Sequence, residues 1–312
     1  MSTPDPAPPL GLAPHAIVLR RTPDELQVGV SPGVVVPAAY AAVLPDRQPV
    51  AESTLMDRAR AAGLHPTATR SVLAALREAQ LLVPAPAPEP LRSAAVRLVG
   101  GGLLGRRTVS LLAGAGVGAL YLSEPPVPAA RPKGPGDGPD RLETFGFALR
   151  RRHPSLEVHR PAHWAKPEDA RIDLTLLAAD GPEVDRLVAD TLVAGDQPHL
   201  VLRSSGREVS VGPLVLPGRT SCLRCADLTR RDADPQWPWV LAQLTGVRLD
   251  PAPSLLAWAS ACAAAQTLAF LSGGRPESAS STLELGTADH TMRLRAWPPH
   301  PGCGCGWGDR TE

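Results

Sequence analysis

The chain has 312 residues, of which 43% are hydrophobic and 20% are charged. A chain of this length and composition can bury a sizeable core, either as one large domain or as two smaller ones. Its formal net charge of +1 lacks the positive excess with which proteins attract nucleic acids or anionic membranes. We therefore expect neither nucleic acid nor a membrane among its partners.

The N-terminal sequence MSTPDPAPPLGLAPH has no basic region followed by an apolar stretch, which a secretory signal would need. We therefore expect a cytoplasmic protein whose cysteines are reduced. The stretch from Ser254 to Leu271 is long and apolar enough to suggest a membrane span, but it is rich in alanine and serine, contains Gln266 and has no flanking positive charges. These features favour a helix buried in the core.

A proline-rich stretch, VPAPAPEPLR, occupies residues 83–92. Because proline disfavours helix at its own position and at the residue before it, this stretch predicts a domain boundary. We expect a disordered N-terminal segment at residues 1–14, a small domain at residues 15–90 and a larger domain at residues 91–312.

The small domain begins with two short β-prone runs, AIVLR (16–20) and LQVGV (26–30), and continues with two segments that space apolar residues as helices do, 49–63 and 67–83. A β-hairpin with about three helices is typical of a winged helix. Residues 16–89 contain seven arginines and seven acids, so the attraction to phosphates on which DNA binding depends has no evident source. Peptide or protein binding is favoured, and DNA binding rests on topology alone.

The larger domain alternates predicted strands and helices, which implies crossover connections and a mostly parallel sheet with helices on both faces. The predicted strands are AVRLVG (95–100), VGALYLSE (117–124), LEVH (156–159), DLTLLAAD (173–180) and HLVLRS (199–204), and the predicted helices are LGRRTVSLLAGAG (104–116), RLETFGFALRRRHP (141–154) and PEVDRLVADTLVAG (182–195). The sequence therefore predicts a doubly wound, Rossmann-like α/β domain.

A glycine-rich turn follows the first of these strands. Gly100, Gly102 and Gly105 have G-x-G-x-x-G spacing between a strand and a helix, and Glu124 ends the next strand. Glycines there allow a nucleotide phosphate to approach the helix N-terminus, and an acid about twenty residues on can accept hydrogen bonds from a ribose. Alternatively, the glycines serve only the turn and the packing of helix on strand.

Residues 100–124, GGGLLGRRTVSLLAGAGVGALYLSE, resemble the ThiF-like family, which is related to the ubiquitin-activating enzymes. Its members bind ATP and magnesium and adenylate a C-terminal carboxylate of a protein or peptide. The resemblance covers residues 91–312, implies a homodimer and places Asp180 where the family has an aspartate associated with metal and phosphate.

The chain departs from the family where charged ATP contacts are expected. In place of an aspartate pair and an Asn-Leu-x-Arg-Gln segment it has SEPPVPAARPKGPGDGPDRLE, residues 123–143. Glu124 is the acid that is kept, and Arg141 stands near the expected basic residue. Since adenylation needs positive groups and magnesium to stabilise charge on the phosphate, this segment favours a non-catalytic protein, with an ATP-dependent adenylyltransferase as the alternative.

Two pairs of cysteines lie far apart in the sequence, Cys222 with Cys225 and Cys303 with Cys305. Four thiolates can form the closed tetrahedral shell of a structural zinc site, and the ThiF-like resemblance implies a zinc held by two such pairs. Disulfides and redox chemistry at the first pair are the alternatives. We expect Cys262 to be a small buried apolar residue of its helix.

A narrower resemblance rests on residues 212–244, on WPPHPGCGC (297–305) and on VLRRTPDELQVGVSP (18–32). These strings resemble actinobacterial ThiF-like proteins that bind the leader peptide of precursors to thiazole/oxazole-modified peptides and accompany YcaO-type cyclodehydratases. The resemblance implies a winged helix that takes the leader as an added strand, at the hairpin edge near LQVGV (26–30) and against the helix at 67–82. The larger domain would dock the cyclodehydratase.

Overall fold

The computed structural model describes residues 8–45, 49–84, 91–125, 140–161, 164, 171–179 and 181–306. The chain divides into two compact units, residues 1–89 and 90–312. Each unit has its own hydrophobic core.

The described residues of the small unit form two short sheets and two α-helices. Its elements are β1 (Leu10–Leu12), β2 (Val18–Thr22), β3 (Glu25–Val28), β4 (Val34–Pro37), a 3-10 helix (Ala38–Ala42), α1 (Glu52–Ala61), α2 (Pro66–Glu78) and β5 (Leu82–Pro84). Strands β2, β3 and β4 form an antiparallel sheet in that order, and β1 pairs antiparallel with β5. The expectation of disorder at residues 1–14 is therefore wrong for Leu10–Leu12, whose backbone forms a ladder with β5.

Helix α2 has a defined start and one buried face. Pro66 starts the helix, and the N–H of Thr67 donates to Nδ1 of His65 at 3.3 Å, which satisfies one of the N–H groups left free at a helix start. Leu73 and Leu76 are buried on one face against the strands. The predicted β-hairpin is confirmed as β2 and β3, while the winged-helix assignment stays a prediction.

The larger unit is built on one eight-stranded sheet. Its elements are β6 (Ala95–Val99), α3 (Leu103–Gly114), β7 (Ala119–Ser123), α4 (Asp140–Arg152), β8 (Glu157–His159), β9 (Leu174–Ala178), α5 (Arg186–Ala194), β10 (His199–Ser204), β11 (Glu208–Val215), α6 (Leu223–Ala233), α7 (Trp237–Leu244), α8 (Pro253–Leu271), β12 (Ser281–Gly286) and β13 (Met292–Ala296). The strand order is β13-β12-β11-β10-β9-β6-β7-β8. Strands β6 to β10 are mutually parallel, and β11 to β13 continue the sheet antiparallel.

Helices cover both faces of this sheet. Leu98 and Leu176 belong to one buried cluster with α3 and α8, whereas their neighbours Val99 and Leu177 belong to another with α5. Since successive strand residues point to opposite faces, these two clusters lie on opposite sides of the sheet. The doubly wound α/β fold is thereby confirmed.

Helix α8 contains the apolar segment that sequence analysis assigned to the core. Among the described residues it is the helix long and apolar enough to cross a bilayer. Seven of its residues are buried, including Leu255 and Ala263, and it packs on α3 and on β10 and β11. Its apolar character is accounted for in part by this packing, as expected for a core helix.

Candidate functional site

The glycine-rich turn leaves the carboxyl end of β6 and enters α3. Gly100 has a φ of +114°, and a Cβ there would lie 2.0 Å from the carbonyl oxygen of Ala178. A Cβ on Gly105 would lie 2.6 Å from the carbonyl oxygen of Gly100. Gly102 is the N-cap of α3, with no side-chain cap. Two of the three predicted glycines are thus required by backbone packing alone, whether or not a nucleotide binds.

Glu124 lies against this turn. The N–H of Gly101 donates to Glu124 Oε2 at 3.1 Å, and a Cβ on Gly101 would lie 2.2 Å from Glu124 Oε1. The carboxylate that the sequence assigns to a ribose is therefore bonded to the turn. The G-x-G-x-x-G pattern does not include Gly101, although the run of three glycines at residues 100–102 indicates that the position is special.

The remaining predicted ATP contacts are described only in part. Asp180 and residues 126–139 lie outside the described residues. Arg141 lies in the first turn of α4 and is half-buried. Gly100, Gly102, Gly105 and Glu124 do come together at the carboxyl edge of the sheet, which is where ligands bind in doubly wound folds.

The four predicted metal ligands converge. The sulfur atoms of Cys222 and Cys303 are 3.5 Å apart and those of Cys225 and Cys305 are 3.3 Å apart, and all four lie within 4.8 Å of one another. A tetrahedral zinc with bonds of about 2.3 Å separates its sulfur ligands by about 3.8 Å. The cluster is buried and can hold a metal ion such as zinc.

Local structure explains the convergence. Cys222 is the N-cap of α6 and Cys225 lies in its first turn, so the helix start directs both sulfurs to one side. Gly304 has a φ of +74°, a left-handed conformation that glycine adopts readily and that lets Cys303 and Cys305 chelate together. Cys262 lies in α8, outside the cluster.

The thiols of the cluster differ in acidity. A hydrogen bond with Cys222 lowers the pKa of Cys225 to about 4, and the same bond raises the pKa of Cys222. Burial raises the pKa of Cys303 to about 12. An incoming metal must therefore displace protons, which makes its affinity depend on pH.

A buried ion-pair network lies beside the cluster, and sequence analysis missed it. Arg203 Nη1 donates to both carboxylate oxygens of Glu183 at 3.0 Å, and Arg186 Nη2 donates to Glu183 Oε2 at 2.7 Å. Arg186 also donates to both oxygens of Asp227, at 2.7 and 3.0 Å. Burial by itself raises the pKa of Glu183, but the neighbouring arginines outweigh it and hold that pKa below its usual value.

Arg230 joins this network to the cysteine cluster. Its guanidinium contacts Glu183 at 3.4 Å and lies 4.8 Å from the ring centroids of both Trp237 and Trp297. Because Arg230 is on the helix that carries Cys225, its cation–π contacts attach that helix to α7, which carries Trp237, and to Trp297 just after β13.

No protein-family model matches the chain, and no curated protein matches it. Solved structures of MccB from E. coli are similar: its ATP complex has a TM-score of 0.69 at 16% identity and covers 95% of this chain and 99% of MccB. The fold is that of MccB.

Two further MccB structures agree with this result. The complex with MccA has a TM-score of 0.68 at 16% identity over 96% of this chain and 99% of MccB. The complex of this microcin C7 biosynthetic enzyme with N-formylated MccA has a TM-score of 0.68 at 16% identity over 95% and 99%. The likeness covers nearly all of both chains and concerns the fold.

Replacing one ligand of the cysteine cluster tests the metal site. We expect Cys225→Ser to lower bound zinc from about one ion per chain to almost none, because a closed structural site needs all four ligands. Metal analysis of protein purified under reducing conditions measures this, with melting temperature as a second readout. Cys262→Ser is the matched control and keeps its zinc. Unaltered reduced protein without bound metal would contradict the assignment.

Replacing Glu183 tests the ion-pair network. We expect Glu183→Gln to lower the free energy of unfolding by about 3–5 kcal/mol at neutral pH, because Arg203 is left buried without a carboxylate. The folded pKa of Glu183 is depressed, so its stabilisation is complete above the ordinary value of about 4.3 and is lost as the pH falls through the lowered folded pKa. Urea denaturation over this range measures both effects. The exposed Glu143, changed to Gln, should have little effect at any pH.

Proposed function

We propose that this protein is a non-catalytic scaffold in the biosynthesis of thiazole/oxazole-modified peptides. The small unit acts as a winged-helix domain that binds the leader of a precursor peptide, and the ThiF-like unit presents that precursor to a YcaO-type cyclodehydratase. The fold shared with MccB, a biosynthetic enzyme seen in complex with MccA, supports a role in peptide modification. The balanced charge of residues 16–89 supports a peptide over DNA.

Among the described residues, no strand pairs with the outer edge of β4, and this open edge is the observation that carries the proposal. Strand β3, which contains most of LQVGV, is paired on both sides, by β2 and by β4. It has no edge of its own to offer a peptide. Helix α2 contacts β4, so in this proposal the added strand lies near that helix, as in other peptide-binding domains that extend a sheet.

The pairing register shows which backbone groups face that edge. The N–H of Ala38 donates to the carbonyl oxygen of Asp24 at 2.8 Å, and Val36 pairs with Leu26 in the same register. Bonded and non-bonded pairs alternate along an antiparallel ladder, so the N–H and C=O of Val35 point away from β3. No hydrogen bond to them is found within the part of the chain that the structure describes, so they are available to a peptide strand.

The larger unit supplies the rest of the scaffold. In this proposal the cysteine cluster binds structural zinc and the protein is a cytoplasmic homodimer whose partners are the leader peptide and the cyclodehydratase. The bond from Gly101 to Glu124 and the loss of the charged ATP segment support a role without nucleotide chemistry.

A proline at the open edge tests leader binding. We expect Val35→Pro to weaken binding of the leader peptide at least about tenfold, because it removes the outward N–H without breaking the β3–β4 ladder. Isothermal titration of the full chain with the precursor peptide encoded beside its gene measures this, and circular dichroism checks that each variant is folded.

The opposite edge provides the control. The N–H of Gly29 donates to the carbonyl oxygen of Ile17 at 2.8 Å and Val18 pairs with Val28, so Val18 faces outward on β2 by the same alternation. Val18→Pro should bind the leader as the unaltered chain does. Equal losses in both variants, or no binding to the unaltered chain, would refute this mode of recognition.

A catalytically active adenylyltransferase is the second candidate. It is favoured by the fold shared with the ATP complex of MccB and by the glycine turn at the start of α3. In that case Gly100, Gly102, Gly105, Glu124 and Asp180 would hold ATP and magnesium. ATP would supply the group that activates a peptide carboxylate.

Pyrophosphate exchange separates the two candidates. We expect the full chain to show no exchange above background with ATP, magnesium and the precursor peptide, because the charged segment that stabilises the transferring phosphate is absent from the sequence. Peptide-dependent exchange that is lost in Glu124→Ala and kept in Glu143→Ala would instead establish the adenylyltransferase.

A further inference from the structure

A groove lies on the outer surface of the larger unit, between helices α3, α4 and α8. Its volume is about 740 Å³. Helix α3 lines it with residues 107, 110, 111 and 114, α4 with 145, 148, 149 and 152, and α8 with 257, 260 and 261. This groove uses none of the glycine turn, the cysteine cluster or the β4 edge.

The shape of the groove matches a helix. The residues from α3 and from α4 each have i, i+3, i+4, i+7 spacing, which is one stripe along two turns of a helix. Each wall is therefore about 10 Å long at 1.5 Å per residue. Small side chains along the walls, including Gly114, Ala148 and Ala261, allow another helix to approach closely.

The chemistry of the groove is apolar and cationic. Leu111 and Phe145 supply apolar surface, and Leu111 is 46% exposed, whereas Leu149 is buried. Its basic side chains are Arg107, Arg152 and His153, two serines add hydroxyl groups, and its lining within the described residues contains no carboxylate. Exposed apolar surface rimmed by polar groups is a feature of protein interaction sites.

The two arginines of the groove lie on different helices, and their positions determine how far apart the acidic groups of a bound partner would be. Helices α3 and α4 each connect neighbouring parallel strands, β6 to β7 and β7 to β8, so they run in the same direction. Arg107 begins the stripe on α3, whereas Arg152 ends the stripe on α4. The two guanidinium groups therefore lie towards opposite ends of the groove.

We propose that this groove docks an acidic amphipathic helix of the partner cyclodehydratase. The helix places apolar residues at i, i+3 and i+4 between the walls and carboxylates about two turns apart opposite Arg107 and Arg152. The identity of the partner rests on the proposed function, whereas the ligand chemistry rests on the groove. Complementary charges at its two ends fix the register of the bound helix.

Charge reversal tests the proposal in the full chain. We expect the double variant Arg107→Glu with Arg152→Glu to bind the cyclodehydratase about tenfold or more weakly, since both end contacts become repulsive. Leu111→Ser, at a position that is already largely exposed, should weaken binding through lost apolar contact. Arg219→Glu with Arg275→Glu changes the net charge equally at exposed positions outside the groove and serves as the control. Affinity for the leader peptide should be unchanged in all of these variants.

Photocrosslinking identifies the occupant. With p-benzoylphenylalanine at position 111, the crosslink should map to a cyclodehydratase helix that carries acids about seven residues apart. A crosslink to a second copy of this chain or to the leader peptide would overturn the proposal. Equal affinity of the groove variants and the control would also overturn it while leaving the scaffold function intact, whereas no complex with the unaltered chain would refute both.

Discussion

One buried carboxylate, that of Glu183, holds the carboxyl edge of the larger unit together. It bonds Arg203 on β10 and Arg186 on α5 and contacts Arg230 on α6. A buried ion-pair network of this kind adds little net stability compared with apolar packing. It nevertheless favours one geometry strongly, because the loss of one partner leaves another charge buried and unpaired. The network thereby fixes the positions of the sheet edge, helices α5 and α6 and the cysteine cluster relative to one another.

Two glycines of the turn are required by packing, independently of any ligand. The backbone contact of Gly100 with Ala178 and of Gly105 with Gly100 excludes any Cβ at these positions. Selection for packing alone would keep these glycines. The glycine motif therefore does not distinguish a chain that binds a nucleotide from one that does not. That distinction depends on the charged groups that would contact the nucleotide. One of them, Glu124, is hydrogen-bonded to the turn itself.

The sequence predicted features that depend on local pattern. Strand β6, helix α4 and the core helix α8 follow from hydrophobic periodicity, and the cysteine cluster follows from ligand chemistry although Cys222 and Cys303 are 81 residues apart. The Glu183 network was not predictable, because charged residues at exposed-looking positions give no local signal of their partners. Strands β1 and β4 were missed since three or four residues carry too little periodicity, and their pairing is set by tertiary contacts.

The proposed leader site and the proposed docking groove use two different kinds of unpaired surface. At β4 the unpaired groups are backbone amides, which bind an extended chain with little regard to its side chains, so leader sequence is selected mainly by neighbouring contacts. In the groove the backbone N–H and C=O groups of α3, α4 and α8 are used within the helices. Recognition must therefore come from the shape and charge of side chains. In the proposed scaffold this division gives tolerant recognition of the peptide and side-chain specificity for the partner.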